Sequence, residues 1–232
     1  LAGSREVLRG SLPAHLQFLS GVEISTNSPD DFPVSGSLHI LGYGVDVNDE
    51  PLLRALDELQ QARDARIPRI VEQLNRAGVP ITMQQVLTQV GDGSPGRPHV
   101  AQAMIQAGAV ANDNEAFDRY LSKGRPAYVD KYRIPCHRAL ELIQGAGGLA
   151  VLAHPYLVPG GQSEALTPLI RRLCAMGMMG IEVYYPEHSP QAVAFYLELA
   201  RRFDLLVTGG TDFHGALIPD IQMGRGRGDL FV

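Results

Sequence analysis

The sequence predicts an α/β protein with a mainly parallel sheet, helices between its strands and a separate small helical segment. Three observations carry that reading. From residue 136 to 208, short apolar runs such as Leu149-Ala150-Val151-Leu152-Ala153 alternate with longer segments of helical period, the pattern of βαβ units. From 51 to 127 the apolar residues recur only at helical spacing. From 18 to 45, two apolar runs flank the turn-rich stretch Asn27-Ser28-Pro29-Asp30-Asp31-Phe32-Pro33, which reads as a hairpin.

In chain order, residues 1–15 read as the tail of a helix and a loop. A strand through Phe18, Leu19 and Val22 ends near Glu23, and a second strand covers Leu38 to Val45. Leu52, Leu53, Leu56, Leu59, Ile67, Ile70, Val71 and Leu74 mark a helix over 51–77 that stops at Gly78, with a kink or break expected at Pro68. Shorter helices are expected at 83–90, 98–107 and 114–121. The remainder reads as helix 136–146, strand 149–153, helix 164–176, strand 180–185, helix 190–202 and strand 205–208.

The 232 residues are 45% apolar and 19% charged, enough to bury a sizeable core. A net charge of -5 gives no overall field toward nucleic acid or an anionic membrane, so a phosphate ligand needs a local positive centre. Two cysteines, Cys136 and Cys174, make neither a disulfide framework nor a zinc knuckle. They read as buried thiols of a reducing compartment, with a cytoplasmic location expected. No apolar run reaches the roughly 18 residues of a membrane span, and no signal peptide is visible at Leu1, although the chain begins with Leu rather than Met.

Seven histidines are present, and His39, His154, His188 and His214 stand beside strand ends or turns, where parallel α/β folds build their sites. Asp212 and His214 follow Leu205-Leu206-Val207-Thr208 and the Gly209-Gly210 turn. Two residues apart on an extended segment, they face one side, a donor set suited to Mn, Fe or Zn. His154 precedes Pro155 and is expected to be extended. A hairpin symmetric about Asp31 puts Glu23 opposite His39. Each residue alone has a plain structural reading: a satisfied strand-end histidine, a common Asp-X-His, a helix-capping Glu23, a surface-loop His188. On the residues alone a metal site and a structural set stand level. Gly91-Asp92-Gly93-Ser94-Pro95-Gly96 lacks the Lys-Ser/Thr ending of a P-loop and reads as a connector.

Gly21-Val22-Glu23-Ile24-Ser25, His39-Ile40-Leu41-Gly42-Tyr43, Arg97-Pro98-His99, Ala153-His154-Pro155 and Thr211-Asp212-Phe213-His214-Gly215 occur in the order of the PHP (polymerase and histidinol phosphatase) family, which the chain resembles over nearly its whole length. The resemblance is to the stand-alone members with a helical insert that act on phosphoesters of nucleotides or short oligonucleotides. It implies a distorted (β/α)7 barrel over 1–50 and 128–232, an inserted helical domain over 51–127, and up to three divalent ions (Mn, Fe or Zn). Glu23 resembles the carboxylate bridging two metals. His39 and His154 resemble the other ligands of one of them, Asp212 a ligand of the first metal and His214 a ligand of a third. Glu23, Asp212 and Arg97 are thereby implied in catalysis. Arg97 and His99 resemble a phosphate-binding pair, and His188 is a candidate for a further substrate contact.

The family's opening His-X-His and Asp-His strands have no counterpart here, on the order of 60 residues at about 30 per unit. The expectation is therefore a chain truncated at its N-terminus and clipped near Val232, with an exposed sheet edge. Only the Glu23, His39 and His154 set would then be complete, leaving these 232 residues inactive by themselves. The implied partner is a phosphorylated small molecule or short oligonucleotide as substrate, with no membrane and no stable nucleic-acid partner. Two other readings stand beside this one. A metal-dependent amidohydrolase would favour a carboxylated lysine on a strand, whereas Lys123 and Lys131 fall in or beside the insert. The other is a metal-less PHP scaffold module.

Overall fold

The computed structural model describes residues 1–32, 38–90, 95–213, 220–226 and 230. The chain forms two compact units, one from Leu1–Ala55 and Arg133–Val232, the other from Leu56–Tyr132.

The first unit opens with helix α1 (Ala2–Arg9) and strands β1 (Gly21–Asn27) and β2 (Leu38–Tyr43). After the second unit come β3 (Ile134–Pro135), α6 (Cys136–Gly145), β4 (Leu149–Leu152), α7 (Thr167–Ala175), β5 (Gly180–Tyr184), α8 (Pro190–Phe203) and β6 (Leu206–Gly209). Among the described residues the strands form one mixed sheet in the order β3-β1-β2-β4-β5-β6. β2 runs antiparallel to both β1 and β4, and the other three pairings are parallel.

The helices bury one stripe each. α6 buries Ala139, Leu140, Leu142 and Ile143, and α8 buries Ala192, Tyr196, Leu199 and Ala200, the i, i+3, i+4, i+7 pattern of an amphipathic helix. Gly42 lets α6 approach β2 closely, because a Cβ there would lie 2.9 Å from Ile143 Cγ1. Each large apolar side chain buried this way contributes roughly 1.5–3 kcal/mol. Both cysteines are free, Cys136 buried and Cys174 half-buried.

The first strand departs from its expected position. Leu19 is 64% exposed and outside it, and β1 instead runs on through Ser25, Thr26 and Asn27, polar residues that masked it in the sequence. Its entry is fixed by Ser20, whose Oγ donates to Val45 O at 2.6 Å. β6 is an edge strand of the described sheet, with Leu206 48% and Val207 43% exposed.

The second unit holds most of α2 (Glu50–Arg76), then α3 (Met83–Leu87), α4 (Arg97–Gln106) and α5 (Asp113–Ala116), which passes into a π-helical turn at Phe117–Leu121. Its core gathers Ile70, Leu74, Ile81, Val86, Met104 and Leu121. α2 runs through Pro68 without the expected break. Proline removes one helical hydrogen bond, but Ile67 and Ile70 on either side are both buried, which offsets that loss. Thr82 and Gln85 cap α3 reciprocally.

Candidate metal centre

Three donors from three neighbouring strands converge at one end of the sheet. Glu23 lies in mid-β1 rather than at a strand end. The hairpin register pairs Ser25 with His39 and Glu23 with Leu41, two residues away from the symmetric pairing expected. Because side chains alternate with period two, a shift of two keeps Glu23 and His39 on one face. Ala153 N donates to His39 O at 3.0 Å, which brings His154, just beyond β4, beside them.

Glu23 Oε1 lies 2.7 Å from His39 Nδ1 and 3.2 Å from His154 Nε2, and the two ring nitrogens are 3.2 Å apart. Donors about 2.1 Å from a common cation stand about 3.0–3.4 Å apart in octahedral or tetrahedral arrangement. The two 3.2 Å edges match this and the 2.7 Å edge is shorter, so a slight widening of the Glu23–His39 pair would seat a divalent transition metal. Ser25 Oγ meets His39 Nε2 at 3.0 Å and fixes the ring from behind, as outer partners of metal-binding histidines do.

Hydrogen bonds from His154 and then His39 hold the Glu23 carboxyl well below its usual range, against the opposing effect of its burial. Burial, the largest single influence, pulls the His154 imidazole down, but the bond to Glu23 and the charges of Glu23, Glu182 and Asp212 together leave it raised. A metal bound here must displace that proton, which makes binding pH-dependent.

His154 is not extended. Its φ is 25° and ψ 63°, a left-handed conformation costly for a side chain of this size. Its backbone N–H is bound by Glu182, a residue the sequence reading missed. Glu182 is 4% exposed in mid-β5, and its Oε2 accepts the His154 backbone N–H at 2.7 Å. Burial pushes its carboxyl up to about 7. The signal was present in Gly180-Ile181-Glu182-Val183, where one carboxylate interrupts an apolar strand.

Asp212 also has a positive φ, 49°. Its Oδ2 accepts from the Tyr185 hydroxyl at 3.1 Å. Tyr185 is buried, its ring centroid 5.5 Å from that of His154, and burial together with the Asp212 charge raises its hydroxyl. Asp212 is not one of the three converging donors. His214 lies outside the described residues. His188, expected at the substrate, is turned inward. Its Nδ1 meets Val183 O at 2.7 Å, and its ring packs between Tyr185 and Tyr196 with Nε2 buried.

Arg97 and His99 occupy the first turn of α4 in the second unit. An Arg97 guanidinium N–H donates to Leu121 O at 3.2 Å, and the group stacks near Phe117 and Tyr128. His99 Nδ1 accepts from Gly96 N at 2.9 Å, so its proton is on Nε2.

No protein-family model matches the chain. It is 32% identical to a 5'-3' exoribonuclease of Haemophilus influenzae, over 92% of this chain and 76% of that protein. It is 30% identical to a 3',5'-nucleoside bisphosphate phosphatase of Chromobacterium violaceum, over 91% and 73%. Similar solved structures include two that are each 30% identical. One, from Bifidobacterium adolescentis and assigned as a metal-dependent phosphoesterase, has a TM-score of 0.65 and covers 97% of this chain and 75% of its own. The other is described as an amidohydrolase from C. violaceum with bound sulfate and no metal, with a TM-score of 0.64 over 86% and 68%. Among the described residues no helix is long and apolar enough to cross a membrane. The chain belongs to the family of metal-dependent phosphoester hydrolases that these relatives represent, in keeping with the PHP-type motifs of its sequence.

Proposed function

We propose that this enzyme cleaves phosphoesters of nucleotides or short oligonucleotides with a divalent ion (Mn, Fe or Zn) held by Glu23 Oε1, His39 Nδ1 and His154 Nε2. The observation that carries the proposal is the fit of those three atoms to one cation. A cation there would make hydroxide available near neutral pH and draw charge from the phosphoryl oxygens. Asp212, held by Tyr185, and His214 would supply donors for neighbouring ions. Arg97 and His99 are the phosphate-binding pair. Arg97 offers a charged fork beyond the N–H given to Leu121, and His99 offers its Nε2–H. His188 serves the substrate indirectly, by packing against Tyr185. In this reading the described strands are part of a distorted (β/α)7 PHP barrel and residues 51–127 its helical insert. The nucleotide-directed names of the relatives support the substrate class.

The amidohydrolase name of one solved relative favours a second reading. Both lysines considered for a carboxylated site, Lys123 and Lys131, belong to the second unit, whereas the three donors belong to the first. A panel of nucleoside mono- and bisphosphates, short oligonucleotides and an amide substrate, run with added Mn²⁺, separates the readings. Release of phosphate or of mononucleotides supports the proposal. Cleavage of the amide alone replaces it with the second reading, and a protein that binds no metal and cleaves nothing is a scaffold.

A further inference from the structure

We infer that Glu182 is a positioning residue of the metal centre: its buried carboxylate fixes the left-handed turn at His154 that aims the imidazole at Glu23 and His39. The inference rests on the metal site proposed above. Glu182 is one of the few buried charged or polar residues in the described chain. Its strand, β5, lies between β4 and β6, whose ends lead into His154 and Asp212. A carboxylate in this place loses its hydration, and its recorded bond is to the His154 backbone N–H at 2.7 Å. That donor lies in a buried residue at φ 25°, a conformation that persists only where its surroundings enforce it.

The other carboxylate oxygen is covered by the chain leaving β6. A Cβ on Gly210 would lie 2.6 Å from Glu182 Oε1, so a side chain there would have to push the carboxylate aside. One side chain thus binds the segment leaving β4 and packs against the segment leaving β6, just where both predicted ligand segments begin. Glu182 itself is not among the donors that converge on one point, which separates positioning from ligation.

The test compares Glu182→Gln with Glu182→Leu. Glutamine keeps an acceptor for the His154 N–H, whereas leucine keeps the volume and removes the acceptor. Loss of an outer partner of a metal ligand typically weakens metal binding about 10–100-fold. Titration of Mn²⁺ or Zn²⁺ into metal-stripped protein should therefore show Glu182→Gln within about threefold of wild type and Glu182→Leu at least tenfold weaker. In the metal-free Leu variant, hydrogen exchange at the His154 amide should also be faster. Leu140→Ala, a buried position on α6, is the stability control and should lower Tm with metal affinity unchanged. Equal affinity in wild type and Glu182→Leu overturns the inference while leaving the metal site standing. A Gln variant as weak as the Leu variant makes Glu182 a ligand rather than a positioning residue. A wild type that binds no metal overturns the underlying site instead.

Discussion

Glu182→Gln should stabilise the metal-free protein at alkaline pH and leave it unchanged in acid. The folded carboxyl is pushed up by burial from 4.5 to about 7, so the folded state holds this proton more tightly than the unfolded chain does. For an acid shifted upward, stability is highest below the unfolded value of 4.5 and falls as pH rises toward 7. Linkage gives 1.36 kcal/mol per unit, so the ionised carboxylate costs about 3 kcal/mol once pH passes 7. Glutamine mimics the protonated form and still accepts from His154 N–H. Urea denaturation in EDTA at pH 4.5, 6, 7 and 8 should show the two proteins alike at pH 4.5. The variant should then gain steadily, to about 3 kcal/mol at pH 8. A difference that stays constant across that range would refute the reasoning, because it would mean that Glu182 titrates in the folded state as it does in the unfolded chain.

Tyr185→Phe removes the hydroxyl that Asp212 accepts. A hydrogen bond to a charged group contributes about 1.5–3 kcal/mol, so kcat should fall at least tenfold while metal at Glu23, His39 and His154 stays bound, as steady-state kinetics with elemental analysis will show. Arg97→Ala should raise KM for a phosphomonoester with metal content unchanged; unaltered kinetics would remove Arg97 from phosphate binding. The same variant should lower Tm by a few degrees, since it also gives up the bond to Leu121 O and the stacking near Phe117 and Tyr128.

The alternation of strand and helix after residue 136 was legible because short continuous apolar runs alternate with longer segments of helical period, and α6, β4, β5, α8 and β6 fall within two residues of their expected ends. The start of the chain read less well. β1 carries Ser25, Thr26 and Asn27 on a partly solvated strand, so the apolar run before it drew the expected strand toward residue 18. The donors Glu23, His39 and His154 were legible as residue types near turns, but their register was not, because the turn between β1 and β2 is long and does not fix pairing. The left-handed backbone at His154 was illegible for a different reason. Pro155 disfavours the right-handed helical region, and the choice between extended and left-handed falls to tertiary contacts, on the inference above the Glu182 carboxylate, one strand away in space and 28 residues away in sequence. Glu182 itself was overlooked because an isolated carboxylate in an apolar strand announces burial and not its partner.

The metal site is tested most directly by anomalous diffraction from crystals of the metal-stripped protein soaked in Mn²⁺ or Zn²⁺, recorded at the edge of the added metal. The account predicts a peak about 2.0–2.3 Å from each of Glu23 Oε1, His39 Nδ1 and His154 Nε2. A bound metal whose peak lies away from these three atoms, or crystals that take up no metal at this triangle, would contradict it.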